Sequence, residues 1–216
     1  MRFGVLGTGM VGQTIATKIV DLGHEVTMGS RSAGNDKAAE WVRAAGTRAS
    51  EGTFADAASG AEMVVNCTMG VASLDALRAA GSSNLEGKVL VDVSNPLDFS
   101  HGMPPTLAVC NTDSLGEQIQ REFPAARVVK ALNTMNAQVM VDPAKVGHSH
   151  VVFACGNDDA AKRDVRSLLE EFGWPEGAIV DLGDISAARG TEMYLPLWLR
   201  IYGTLGTGSF NIAIER

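Results

Sequence analysis

The chain has 216 residues, 45% hydrophobic and 20% charged, the make-up of an ordinary globular protein, which excludes a disordered chain or a coiled coil. Its formal net charge is −7 and its basic residues form no run, so a phosphate backbone would be repelled and no nucleic-acid partner is expected. The length leaves no room for a dinucleotide-binding domain plus a large second domain. Glycine accounts for 24 of the 216 residues, above the ~7% of average usage, a surplus that needs a reason.

No window approaches the ~18 apolar residues of a membrane span. The first residues form too short an apolar stretch for a signal peptide. Cys67, Cys110 and Cys155 are far apart, odd in number and without a C-x-x-C, so neither a disulfide framework nor a zinc site is indicated. A cytoplasmic protein without membrane or nucleic-acid partners is the expectation.

In chain order, residues 3–6 read as a buried strand. Val11, Ile15, Ile19 and Leu22 recur at steps of four, four and three, one face of a helix that Gly23 stops. A strand over 25–28 and a helix over 38–45, stopped by Gly46, follow. Further strands are predicted over 63–68, 88–93 and 127–131, with short helices over 73–80 and 114–122. Residues 151–155 form a strand. Asn157, Asp158 and Asp159 offer caps for a helix that buries Ala161, Val165, Leu168, Leu169 and Phe172. After a short strand at 179–180, Asp184 caps a long helix to Tyr202, kinked near Pro196. That helix is apolar on two faces, Ile185, Ala188, Leu195, Leu199 and Tyr202 on one, Tyr194, Trp198, Ile201 and Leu205 on the other. The second face is expected to meet another subunit, making a homodimer. Alternating strands and helices predict a parallel sheet with right-handed crossovers.

Gly7-Thr8-Gly9-Met10-Val11-Gly12 is G-x-G-x-x-G, directly after a strand and opening an amphipathic helix. In that context Gly7 permits the tight turn, Gly9 lets the backbone approach a pyrophosphate, and Gly12 lets helix and strand pack closely. Free N–H groups and the helix dipole then hold the anion. The predicted fold is therefore α/β, a Rossmann-type doubly wound parallel sheet. Residues 1–155 form the dinucleotide-binding domain, and 156–216 a small C-terminal α/β extension ending in the long helix. The second strand ends Gly29-Ser30-Arg31 with no carboxylate. A carboxylate there would bond a ribose 2′-hydroxyl; a serine hydroxyl and a guanidinium suit a 2′-phosphate, so NADP(H) is expected over NAD(H).

Open α/β sheets bind ligands at the carboxyl ends of their strands. Asn66-Cys67-Thr68-Met69-Gly70, Val93-Ser94-Asn95-Pro96-Leu97 and Ala131-Leu132-Asn133-Thr134-Met135-Asn136 are such ends. Thr68, Met69 and Asn95 are candidates to contact the cofactor, and Asn133, Thr134, Met135 and Asn136 the second substrate.

Acid–base groups are scarce. The Tyr-x-x-x-Lys pair of short-chain reductases is missing, His24 lies away from the strand ends, and His101 sits in a loop that could reach them. Lys130 is a strand residue that could act as an acid. His148 and His150 could share a face and a metal, yet no further ligand follows at suitable spacing, so no metal is expected. No catalytic residue is assigned: hydride transfer between nicotinamide and a flavin-like ring needs alignment and exclusion of water more than proton chemistry.

The glycine loop, Gly29-Ser30-Arg31, Val128-Val129-Lys130-Ala131-Leu132-Asn133-Thr134, Ala154-Cys155-Gly156-Asn157-Asp158-Asp159 and Val180-Asp181-Leu182-Gly183 together resemble NADP oxidoreductases dependent on the deazaflavin coenzyme F420. The resemblance spans essentially the whole chain and extends to the cytosolic domain of membrane ferric reductases. It implies a dinucleotide-binding domain with a small C-terminal extension, dimeric assembly, and pyrophosphate wrapped by Thr8 to Val11. It further implies a 2′-phosphate held by Ser30 and Arg31, and loops after Thr68 and Leu132 surrounding the nicotinamide and deazaflavin. Family members often carry His-Thr-Ile-Pro where this chain has Asn133-Thr134-Met135-Asn136, and Ile-Pro where it has Met69-Gly70. The readings that follow are hydride transfer between NADP(H) and a deazaflavin, reduction of a flavin or a ferric chelate on the same scaffold, or a module that senses NADP(H) without turnover.

Overall fold

A computed structural model of the chain describes residues 1–147 and 149–215. The elements run β1 (Arg2–Leu6), α1 (Met10–Asp21), β2 (Glu25–Ser30), α2 (Asp36–Ala45), β3 (Ala49–Thr53), α3 (Phe54–Gly60), β4 (Met63–Asn66), α4 (Ser73–Ala80), α5 (Ser82–Leu85) and β5 (Val89–Asp92). There follow a hairpin of β6 (Leu97–Asp98) and β7 (Thr106–Leu107), then α6 (Leu115–Glu122), β8 (Arg127–Ala131), α7 (Ala137–Val141), β9 (Val152–Gly156), α8 (Asp159–Glu171), β10 (Ile179–Asp181), α9 (Ala188–Met193) and α10 (Leu195–Leu205). Eight strands make one sheet in the order β10-β9-β8-β5-β4-β1-β2-β3.

Successive strand residues face opposite sides of a sheet. Phe3 and Val5, Met63 and Val65, Val89 and Val91, and Val129 and Ala131 therefore share one core with α1, α2, α7 and α8. Leu6, Val64, Leu90 and Val128 face the other, against α3 to α6 and the start of α9. Strands apolar on both sides are what a sheet covered by helices on both faces requires.

The sheet is parallel except where β9 pairs antiparallel with β8. The connection from β8 passes through α7 and enters β9 from the same end of the sheet instead of crossing over. Beyond it α8 does cross over, and β10 lies parallel to β9. The expected boundary after residue 155 falls at the end of β9, and 156–216 contribute α8, β10, α9 and α10.

Six elements lie outside the expected set: β3, α3, α5, the β6–β7 hairpin strands and α7. β3, Ala-Ser-Glu-Gly-Thr, is a polar edge strand, and α3 starts from a Thr53–Asp56 capping box. The long C-terminal helix is two: α9 ends at Met193 and α10 starts at Leu195, with Pro196 in its first turn, where a missing N–H leaves no intrahelical bond unmade. Neither core includes a residue of α10, of which Leu195 alone is buried.

Candidate functional site

The end of β1 and the start of α1 are built on three glycines with different jobs. Gly7 adopts φ +116°, which side chains rarely take. A Cβ on Gly12 would lie 2.1 Å from the Gly7 carbonyl oxygen, so only glycine lets α1 seat on the turn. Where Gly9 would carry a Cβ there is open space. This is the room a pyrophosphate needs against the free N–H groups of the α1 N-terminus.

A cleft of about 720 Å³ opens there, lined by Gly7, Thr8, Gly9, Ser30, Arg31, Thr68 and Met69 among others. The structure thus brings these seven predicted residues around one cavity, large enough for most of a dinucleotide. Met10, Val11 and Gly12 form the first turn of α1 behind it, with Met10 66% exposed. Ser30 is buried and its hydroxyl donates to the Ser32 carbonyl at 2.6 Å, leaving its oxygen on the cleft wall. Arg31 is exposed and makes no ion pair with the described residues. Asn35 and Lys37 also line the cleft and were not expected. The signal was the α2 N-terminus: Asn35 caps it by accepting from the Lys37 and Ala38 N–H groups, which turns Lys37 toward the cleft that Arg31 borders. Cys67 is a further lining residue; burial, then the nearby Asp92 charge, pushes its thiol well up, so it is a packing residue and no nucleophile.

Asn95 lies outside this lining. Its amide donates to the Asn133 carbonyl at 2.8 Å and its Oδ1 accepts from Asn133 Nδ2 at 2.9 Å. The two predicted site residues are therefore joined to each other. Gly70 abuts the same place, since a Cβ there would meet the Asn95 carbonyl at 1.9 Å. Asn133, Thr134 and Met135 are buried. They follow Leu132, a non-glycine residue at φ +65° in the left-handed region. Asn136 caps α7, and Gly208 of the C-terminal tail packs so closely that a Cβ would stand 2.7 Å from Asn136 Nδ2. The chain's own tail therefore lies against the expected second-substrate turn. Around the strand ends, Met69, Val71, Phe99 and Met103 expose apolar side chains.

The remaining titratable candidates are accounted for elsewhere. His24 pairs with Glu171 at 2.8 Å near the chain start, and His101 is exposed in the β6–β7 loop. His150 is buried, bonded to the Pro143 carbonyl and to Asn211; its expected partner His148 lies outside the described residues. No metal-binding cluster occurs among the described residues. Lys130 is buried under Glu192 and Asp92, at 2.7 and 2.6 Å, and cannot reach a substrate.

Comparison with known proteins agrees with this geometry. The family profile for NADP oxidoreductases, coenzyme F420-dependent, matches residues 2–96. A protein of Arthrobacter sp. FB24, provisionally named an F420-dependent NADP-reductase, is 55% identical, with 99% of each chain covered and a TM-score of 0.93. The F420-dependent NADP reductase of Methanothermobacter marburgensis is 29% identical, over 93% of this chain and 92% of that protein. The metalloreductase STEAP3 of Rattus norvegicus is 30% identical over 91% of this chain, which spans only 38% of that protein. With a relative 55% identical along its whole length, the chain belongs to the F420-dependent NADP oxidoreductase family and is an NADP-dependent oxidoreductase.

Proposed function

We propose that the chain passes hydride between NADP(H) and a deazaflavin of the coenzyme F420 class at the strand-end groove. The observation that carries this reading is the mouth itself. An NADP-sized cleft opens beside the exposed apolar side chain of Met69, and Val71, Phe99 and Met103 in the loops after β4 and β5 expose apolar side chains as well. No histidine or tyrosine is among its described lining residues. A flat ring stacked on nicotinamide buries apolar area there and needs only alignment, whereas a carbonyl substrate needs a proton donor. The bound nicotinamide and deazaflavin supply the redox chemistry, a hydride moving between their ring carbons. The protein's part is to hold phosphate with the glycine loop, Ser30 and Arg31, and to keep water from the apolar rim.

The test is absorbance at 340 nm with purified protein and NADPH, adding the deazaflavin, a flavin or nothing. Loss of absorbance with the deazaflavin supports the proposal. Turnover with a flavin alone would move the reading to a flavin-type reductase, the departures from the family pattern at Met69-Gly70 and Asn133–Asn136 being at the positions expected to face the second substrate. Tight NADPH binding without turnover would leave a sensor of NADP(H).

We also propose a homodimer through α10. Leu197, Tyr202 and Leu205 are 57, 45 and 56% exposed on one helix, an apolar surface that monomers rarely leave bare. Trp198 Nε1 in the same helix is buried without a hydrogen-bond partner among the described residues. Light scattering at micromolar concentration is expected to give twice the chain mass; a monomer would refute the dimer. No helix among the described residues is long and apolar enough to cross a membrane, and the cytoplasm is the proposed location.

A further inference from the structure

On the second face of the sheet the apolar rows of β4, β5 and β8 turn polar at their carboxyl ends. Val64 is followed two residues on by Asn66, Leu90 by Asp92, and Val128 by Lys130. The register sets Asn66 beside Asp92 and Asp92 beside Lys130. All three are buried. Lys130 Nζ donates to Asp92 Oδ2 at 2.6 Å and to the Ser94 carbonyl at 2.7 Å, and contacts Glu192 Oε1 at 2.7 Å. Its three protons are thereby all used.

An ionised carboxylate only accepts hydrogen bonds. Asp92 Oδ1 therefore takes the Asn66 amide N–H at 2.9 Å, and Asn66 can turn only its oxygen the other way. Thr68 Oγ1 donates to that oxygen at 2.6 Å. A hydroxyl has one proton, and here it points inward, away from the cleft that Thr68 lines. Ser73 Oγ, at 2.8 Å, fills one side of the Thr68 oxygen, and a lone pair is left for the cleft.

We infer that the buried row Lys130–Asp92–Asn66 fixes Thr68 as a hydrogen-bond acceptor toward the cofactor. Thr68 therefore engages a donor of the dinucleotide, a ribose hydroxyl or the carboxamide N–H, and turns away the phosphates, which only accept. Thr68 is the binding residue. Asn66, Asp92 and Lys130 are positioning residues that set its polarity from beneath the cleft floor, with NADP(H) as the cleft's occupant.

The test is the dissociation constant for NADPH, read by its fluorescence. Thr68→Val is expected to weaken binding about five- to tenfold, and Thr68→Ser to stay within about twofold. Asp92→Asn reverses the row in a side chain of the same shape, at the cost of the Ser94 N–H and O–H, which Asp92 Oδ1 accepts at 3.2 and 2.6 Å. An asparagine must accept from Lys130 through its oxygen, so its NH2 faces Asn66, whose amide turns over and pushes the Thr68 proton into the cleft. Asp92→Asn should then weaken NADPH binding by itself, and Thr68→Val should add less than about twofold in that background. A purely structural role for the row would leave the Thr68→Val penalty equal in both backgrounds and overturn the inference. So would Thr68→Val binding NADPH as tightly as the parent. If the Asp92→Asn protein gives no cooperative melt, the Thr68 pair in the parent decides alone. A parent chain that bound no NADPH would refute the cofactor reading itself. Repeating the series with the 3-acetylpyridine analogue of the cofactor, whose ring substituent has no N–H, identifies the donor. A penalty that vanishes marks the carboxamide, and one that persists marks a ribose hydroxyl.

Discussion

Replacing Arg31 with alanine is expected to weaken NADPH binding by about ten- to a hundredfold while leaving NADH binding within about twofold. The only difference between the two cofactors is the 2′-phosphate. A guanidinium reaches a phosphate with two parallel N–H donors, a charge-assisted contact worth about 1.5–3 kcal/mol. Arg31 stands at the end of β2, exposed and without an ion pair to any described residue, so nothing in the protein competes for it. Lys37 lines the same cleft and can retain part of the attraction, which is why the expected loss stops short of the full discrimination between the cofactors. Lys37→Ala should cost less than Arg31→Ala, because an ammonium offers a point charge and no fork. Titration of both cofactors against both variants decides it. Equal losses for NADPH and NADH on removing Arg31 would show that its contribution is to the shared part of the dinucleotide.

Lys130→Met is expected to lower the melting temperature by roughly 6–20 °C, the consequence of about 3–5 kcal/mol in a chain of this size. The methionine fits the space, but Asp92 and Glu192 are left buried with no cation between them. Glu192→Gln should cost much less, about 1–2 kcal/mol. It keeps the Asp92–Lys130 pair and, with its oxygen in the Oε1 place, still accepts from Lys130 and from the Gly116 N–H at 3.0 Å, so that only the Leu115 N–H, which Glu192 Oε2 takes at 2.8 Å, loses its acceptor. Scanning calorimetry on the two variants checks the order. Glu192→Gln melting below Lys130→Met would refute a role for Lys130 as the central counterion. The pH dependence has a definite sign. Burial pushes the Lys130 ammonium down, but Asp92 and Glu192 outweigh burial and hold it above the ordinary lysine range. A raised folded value means the stabilisation is complete below the unfolded lysine pKa of about 10.4 and is lost as pH rises through the folded value. The parent should lose stability at strongly alkaline pH on this account, and Lys130→Met should not.

The nucleotide half of the site was legible because its rules are local. A strand, three glycines and a helix within ten residues determine the turn, and the residues at the end of the next strand face the same cleft. Buried strands such as Met63–Asn66 and Val89–Asp92 announce themselves by unbroken apolar runs. β3 does not: its residues are Ala-Ser-Glu-Gly-Thr, and it is a strand because β2 offers it a register. The direction of β9 was equally hidden, since an apolar run is the same read either way. The strand at 63–68 was expected to be two residues longer. It stops at Asn66, whose side chain accepts the Thr68 N–H at 3.3 Å and bends the chain there. Asn95 and Asn133 were read as lining the mouth, but the pairing of one amide with the other is a contact between residues 38 apart. Lys130 offered the sharpest contrast. As a lone lysine in a strand it looked available for proton transfer, and only the neighbouring strands, together with a helix near the far end of the chain, reveal that all its protons are used.

The antiparallel entry of β9 has a consequence for where the molecule tolerates change. Because β9 and β10 run against the other strands, the turns that follow them, at Asn157–Asp158 and Leu182–Asp184, emerge at the end of the sheet opposite the cofactor mouth. A peptide tag or a reporter domain spliced into the exposed 182–184 turn would hang from the floor of the molecule, leaving the glycine loop and its cleft as open as before.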